Sequence, residues 1–268
     1  MLDLQNTPPF LFRAGSSPIV ISIPHNGSVI PISVAEKMTA DGQSSRDTDW
    51  FLDRLYDFPE SADASKLVAQ FSRYVVDLNR SSDDVSLYPG QTTTGLIPKQ
   101  CFDGAAIYKD DAVDAGEISE RIEKVWQPYH HKLAGELARV REEHSLAVLI
   151  EAHSIKSVVP RLFDGTLPDF NFGTNRGQSC SSKLASSINE VLEQQSDYSH
   201  VQNGRFVGGY ITRHFGDPSN NIHAVQIELS QATYMDEDNL SWSDEKAAKV
   251  QPVFQQIFQA VSEWTQQQ

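Results

Sequence analysis

Two stretches of the chain end in residue types that do chemistry. Leu146-Ala-Val-Leu-Ile-Glu-Ala-His-Ser-Ile155 places six apolar residues in its first seven positions and then turns polar at Glu151, His153 and Ser154. Pro18-Ile-Val-Ile-Ser-Ile-Pro-His25-Asn-Gly27 has the same shape. A short apolar run that breaks into polar residues reads as a strand buried on both faces of an α/β sheet. Ligands of such sheets bind beyond the carboxyl ends of the strands, so two histidines at two strand ends suggest a metal site. Hydrolytic zinc sites use three His or carboxylate ligands and keep a further position for water. The ion lowers the pKa of that water, and a nearby carboxylate takes its proton. The carboxylates on offer are Asp47 or Asp49, at the start of a helical stripe, and Glu228, at the end of the strand His223-Ala-Val-Gln-Ile-Glu-Leu229. Taken singly, each has a plain structural reading, such as a satisfied core histidine or a Glu paired with Arg. The joint pattern is what points to a metal.

The second part of the pattern is cationic. Arg80, Arg161, Arg176, Arg205 and Arg213 all lie in stretches rich in Gly, Asn or Pro. Guanidinium groups suit bidentate recognition of carboxylates. Any one of these could be a solvated surface charge, but five in the loops of an acidic chain suggest an anionic ligand. The 268 residues carry 22 Lys and Arg against 36 Asp and Glu, a net charge of −14. That balance argues against nucleic acid or an anionic membrane as partner. A small anion is still compatible, because a local Arg cluster overrides the global field. Cys101 and Cys180 are far apart and imply neither a disulfide framework nor a Cys-rich zinc module. Free thiols and a cytoplasmic setting fit them. The first residues lack the basic and apolar regions of a signal peptide, and no run reaches the ~18 apolar residues of a membrane span.

The elements that must position these residues can be read in order. Length and 39% hydrophobic content fit one large α/β domain over residues 1–268. Phe10-Leu-Phe12 reads as a pairing segment, and residues 18–24 as the first buried strand. Trp50, Phe51, Leu55 and Phe58 predict a helix over 47–58, capped by Asp47 or Thr48. Residues 66–70 and 73–79 read as two extended segments. The polar stretch from Ser81 to about Tyr108 is long for a loop, which favours a wall or lid of the site. Apolar residues at spacings of three and four predict the longest helix over 111–143, kinked at Pro128. His130 and His131 read as packing residues on it, and His144 as its C-terminal cap. Further amphipathic helices are predicted over 181–195 and 242–266. Four glycines within 203–216 mark backbone that turns or approaches something closely.

A family resemblance covers the chain in order from about residue 18 to 240. The motifs Ile23-Pro-His25-Asn-Gly27, Arg46-Asp-Thr-Asp49-Trp50, Asp77-Leu-Asn-Arg80, Leu87-Tyr-Pro-Gly-Gln91 and Glu151-Ala-His153-Ser154 resemble those of the N-formylglutamate amidohydrolases. So do Phe172-Gly-Thr-Asn-Arg-Gly177, Asn203-Gly-Arg-Phe-Val-Gly-Gly-Tyr-Ile-Thr-Arg213 and Gln226-Ile-Glu228. These enzymes, also called N-formylglutamate deformylases, act in histidine degradation and are similar to the zinc-carboxypeptidase and aspartoacylase group.

The resemblance implies an α/β fold of three layers, a central mixed sheet with helices on both faces (zinc-carboxypeptidase-like, or phosphorylase/hydrolase-like). It implies one zinc per chain, with other divalent ions compatible, held by His25 and His153. The wider group takes its third ligand three residues after the first His, where this chain has Ser28. The expectation here is therefore Asp49, with Asp47 second. The family also often shows Asp or Cys before the second His, whereas this chain has Glu151-Ala152. Glu228 is expected as the general base that activates the water and then protonates the leaving amine. Asn79 and Arg80 match a pair that grips a substrate carboxylate. Arg73 or Arg213 is expected to polarise the formyl oxygen, and a second loop arginine to hold the other carboxylate, with Arg176 also among the expected substrate-binding residues. The expected substrate is a small anionic N-acyl amino acid. The alternatives are a desuccinylase-like or aspartoacylase-like hydrolase, and a non-catalytic protein that binds acidic amino acids.

Overall fold

The computed structural model describes residues 2–4, 6–58, 61, 63–85, 93–109 and 113–268. Its centre is one seven-stranded mixed sheet in the order β1-β3-β2-β4-β7-β5-β6. The strands are β1 Phe10–Arg13, β2 Ile19–Ile23, β3 Ser65–Ala69, β4 Ala147–Ile155, β5 Phe170–Gly173, β6 His200–Gln202 and β7 Ile222–Ser230. The two long apolar runs, β2 and β4, lie side by side and parallel at the centre, and every residue of both is buried. Strand β7 runs parallel to β4 on its other side. Only β1 and β5 run against their neighbours β3 and β7.

Alternation along the strands sorts two cores onto the two faces. Ile19, Ile21, Ile23, Val148, Ile150, Val225 and Ile227 face helices α3 (Ser182–Gln194) and α5 (Asp244–Thr265). Both start at serine caps, Ser181 and Ser243, whose hydroxyls accept N–H groups of the first turn. Val20, Leu67, Ala147, Leu149 and Ala224 face helix α2 (Gln127–His144). Short helix α4 (Tyr210–Phe215) also meets this second core, through Ile211. The expectation of a mixed sheet covered on both faces is met.

Three local expectations differ. The stripe over 47–58 forms only a single turn, Leu52–Leu55, entered through Phe51 in the left-handed region. The polar residues read as its caps are committed elsewhere: Thr48 donates to Ser45 O, and Asp47 accepts from Tyr74 Oη and Phe102 N. Residues 73–79 are turns rather than strand, with Val75 N on Ser72 O and Arg80 N on Asp77 O. The long helix starts as α1 (Ala115–Arg121) at its Asp114 cap and widens into a π turn over Ile122–Trp126 before α2. Pro128 follows at the entry to α2, where its missing N–H rules out a regular bond. The motif Leu87-Tyr-Pro-Gly-Gln91 lies outside the described residues.

Candidate active site at the strand ends

On the α2 face of the sheet, β4 and β7 change from apolar to polar toward their carboxyl ends. Their register pairs Glu151 with Gln226 and His153 with Glu228. All four side chains therefore share one face at a spacing of two. His25 comes in just past the end of β2. Asp49 is tied to the same place by its backbone, Asp49 N donating to His25 O at 3.0 Å. His25, Asp49 and His153 are all buried and each offers one ligand atom within 4.8 Å of the others.

The two imidazoles are held alike. His25 Nε2 lies 2.7 Å from Asp77 Oδ1, and His153 Nε2 lies 2.7 Å from Glu151 Oε1. That leaves both Nδ1 atoms turned toward Asp49 Oδ2, at 3.8 Å for His25 and 3.0 Å for His153. His25 Nδ1 has no hydrogen-bond partner among the described residues. A buried imidazole nitrogen without a partner costs free energy, and a cation at this point would satisfy it. A carboxylate behind the second nitrogen of each ring is the usual arrangement for His that binds a metal. The donor set of two imidazoles and one carboxylate therefore fits a zinc-type ion. Asp49, and not Asp47, is the acid brought to the histidines. For His153, burial works against the charged form, but Glu151 and Asp49 outweigh it and hold the ring up, to about 10.

A cleft of about 90 Å³ opens over these groups. His25, His153, Asn79 and Glu228 line it together with Arg73, Arg80 and Arg205. Thr93, Thr94 and Phe102, from the long polar stretch, form part of its wall. Arg73 is clamped by Asp77, 2.7 Å from its Nη2, and lies over the Phe102 ring. Arg80 donates to Thr94 O, Thr94 Oγ1 and Asn79 O. The Glu228 carboxyl is pushed up to about 8, chiefly by burial, with Asp49 and Glu151 adding to the effect and His153 and Arg73 opposing it. Arg176 and Arg213 are not among the lining residues. Arg176 is exposed on the turn after β5, and Arg213 folds its Nε back onto Gly208 O.

The start of α4 sets much of this geometry. Gly209 N donates to Gln226 Oε1 at 2.6 Å, which fixes the amide so that Gln226 Nε2 reaches Glu228 Oε2 at 3.3 Å. Ile211 N donates to Asn79 Oδ1, and Thr212, through its N–H and its hydroxyl, donates to Glu151 Oε2. This backbone passes close because two glycines permit it. A Cβ on Gly173 would fall 2.5 Å from the backbone of Val207, and one on Gly209 would fall 2.2 Å from Asn79 Nδ2. Sequence reading did not single out Asp77, Glu151, Thr212 or Gln226 as orienting groups. Glu151 and Gln226 carried a signal, since each stands two residues before a site residue on a strand.

The family comparison agrees with the motifs. Residues 17–235 match the model of the N-formylglutamate amidohydrolase family. An N-formylglutamate deformylase from Pseudomonas putida is 46% identical over 255 residues, covering 94% of this chain and 95% of the relative. One from Pseudomonas aeruginosa is also 46% identical, covering 94% and 96%. The crystal structure of an N-formylglutamate amidohydrolase from Ralstonia eutropha JMP134 superposes with a TM-score of 0.84 at 22% identity, over 97% of this chain and 99% of that one. The fold is thus the mixed-sheet α/β fold of that structure. The chain belongs to the N-formylglutamate amidohydrolase family.

Proposed function

We propose that this chain hydrolyses N-formyl-L-glutamate to formate and L-glutamate with a divalent metal, zinc in the first instance, held by His25, Asp49 and His153. The observation that carries this reading is the convergence of two carboxylate-backed imidazoles and Asp49 beside Glu228, on the floor of a cleft lined by arginines. The names of the 46% identical relatives support the substrate.

Bound there, the ion would lower the pKa of a water and polarise the formyl oxygen. The rest falls to the chain's own groups. Glu228 takes a proton from the attacking water and passes it to the leaving amine. Arg73, fixed by Asp77, stabilises negative charge on the formyl oxygen. Arg80, with Arg205 as the second loop arginine, holds the two substrate carboxylates. Asp77 and Glu151 keep both rings presenting Nδ1. Similarity to the zinc-carboxypeptidase group, one catalytic domain, a place in histidine degradation and a cytoplasmic setting complete the reading. The two buried free cysteines accord with that setting. Among the described residues, no helix is long and apolar enough to cross a membrane.

The test is formate release from N-formyl-L-glutamate by the purified protein, before and after chelation and with zinc restored. Activity that disappears with chelator and returns with zinc is the expected result. No formate from a protein that binds one metal per chain would discard the substrate. No formate and no metal would favour an acidic amino-acid binding protein.

A further inference from the structure

The backbone that carries Asn79 and Arg80 is held from outside the cleft. Three consecutive carbonyls, Leu78, Asn79 and Arg80, take their hydrogen bonds from side chains. His130 Nε2 donates to Leu78 O at 2.9 Å, Arg80 Nη1 to Asn79 O at 2.8 Å, and Trp126 Nε1 to Arg80 O at 2.9 Å. No backbone N–H among the described residues reaches any of the three. The segment is not part of a strand or helix, so nothing regular fixes it. Two of its three anchors come from one face of the long helix.

Those two anchors form a built unit. Trp126 closes the π turn, and His130 lies four residues on, so the rings stack with centroids 3.9 Å apart. Phe215 stacks beyond His130, and Tyr210 meets both rings from α4. His130 is buried, and burial pushes it down to about 3, so the ring is neutral and can donate from Nε2 only as one tautomer. Its Nδ1, the acceptor nitrogen of that tautomer, has no partner among the described residues and packs only against the neighbouring rings. π turns recur at functional sites. Here the wide turn delivers an indole N–H to the carbonyl of a cleft arginine.

We propose that Trp126 and His130 are positioning residues that bracket Asn79 and fix Arg80 in the cleft, and so set affinity for the substrate carboxylate. This rests on the reading of the cleft given above. Neither side chain is among those lining the cleft, and both act through the backbone of 78–80. Asn79 then transmits the same placement to α4 through Ile211 N.

The test uses the whole protein with its metal, and the variants Trp126→Phe and His130→Phe, which keep a ring and remove the donor. His130→Gln serves as the rescue, since its amide can again donate to Leu78 O. Formate-release kinetics are measured together with L-glutamate affinity by calorimetry. Loss of either donor is expected to raise KM and the Kd for L-glutamate about three- to tenfold. The kcat should stay within about twofold. His130→Gln should restore most of the affinity, and Trp126→Phe should add little in an Arg80→Ala background. A drop in kcat alone, or unchanged KM and Kd in both phenylalanine variants, would overturn the proposal. A wild type that binds L-glutamate but releases no formate would defeat the proposed reaction, while the Kd ratios still decide the clamp. A wild type that neither binds nor hydrolyses would overturn both.

Discussion

The side chains beneath the cleft fall into groups that face the ligand and groups that hold those in place. Glu228 belongs to the first kind. It lines the cleft, is 6% exposed, and is paired in register with His153. Glu228→Gln is isosteric but cannot take a proton, and should lower kcat by about 10²- to 10⁴-fold. Metal content, measured by elemental analysis, should stay at the wild-type level. Loss of metal in that variant would instead make Glu228 a ligand. Glu151 belongs to the second kind. It is fully buried, with one oxygen on His153 Nε2 and the other on Thr212. Glu151→Gln should weaken zinc binding by about 10- to 100-fold, read by competition with a chromophoric chelator. Unchanged zinc affinity would show that the ring needs no carboxylate behind it.

At the level of elements, the site depends on how closely α4 approaches the sheet. Three backbone N–H groups, of Gly209, Ile211 and Thr212, end on Gln226, Asn79 and Glu151. Each of those side chains touches Glu228 or His153. A side chain at 209 would meet the Asn79 amide at once. Gly209→Ala should therefore push α4 outward and lower kcat/KM by about a hundredfold, as expected when catalytic groups shift by an ångström or so. A steady-state assay beside a melting curve checks this. An alanine variant with wild-type kinetics would mean that α4 does not set the geometry.

For the molecule as a whole, the buried polar groups predict how stability responds to acid. His130 is held neutral by burial, first of all, with His214 and His131 adding like charge nearby. Its folded value of about 3 lies below the ordinary 6.5, so the unfolded chain binds the proton more readily. Unfolding therefore becomes easier as pH falls through the window from 6.5 toward 3, and this group has no effect above it. The slope from this one ring approaches about 1.4 kcal/mol per pH unit within that window. Urea midpoints for wild type and His130→Gln should differ in their pH dependence between pH 7 and 5, with the variant flatter. Equal slopes would mean that His130 is not the group that titrates.

The sequence by itself determined the central strands, because unbroken apolar runs such as 146–150 are buried on both faces of a sheet. It also determined the acid and imidazole residues that end those strands, since a spacing of two on a strand keeps side chains on one face. Helices α3 and α5 were legible from their amphipathic periodicity, a local pattern of the same kind, and the structure adds their serine caps. Tertiary structure decided what local pattern could not carry. It brought Asp49 and not Asp47 next to the two histidines, while Tyr74 and the backbone of Phe102 hold Asp47 elsewhere. It turned residues 73–79 out of the sheet and made the 47–58 stripe a single turn, because their polar side chains bond across the fold. Among the described residues it put Arg205 in the lining of the cleft and left Arg176 and Arg213 outside it, because a loop side chain's direction depends on distant neighbours. Contacts such as Trp126 to Arg80 span 46 positions of chain. No window of sequence contains both ends of such a bond, so only the folded molecule could place them.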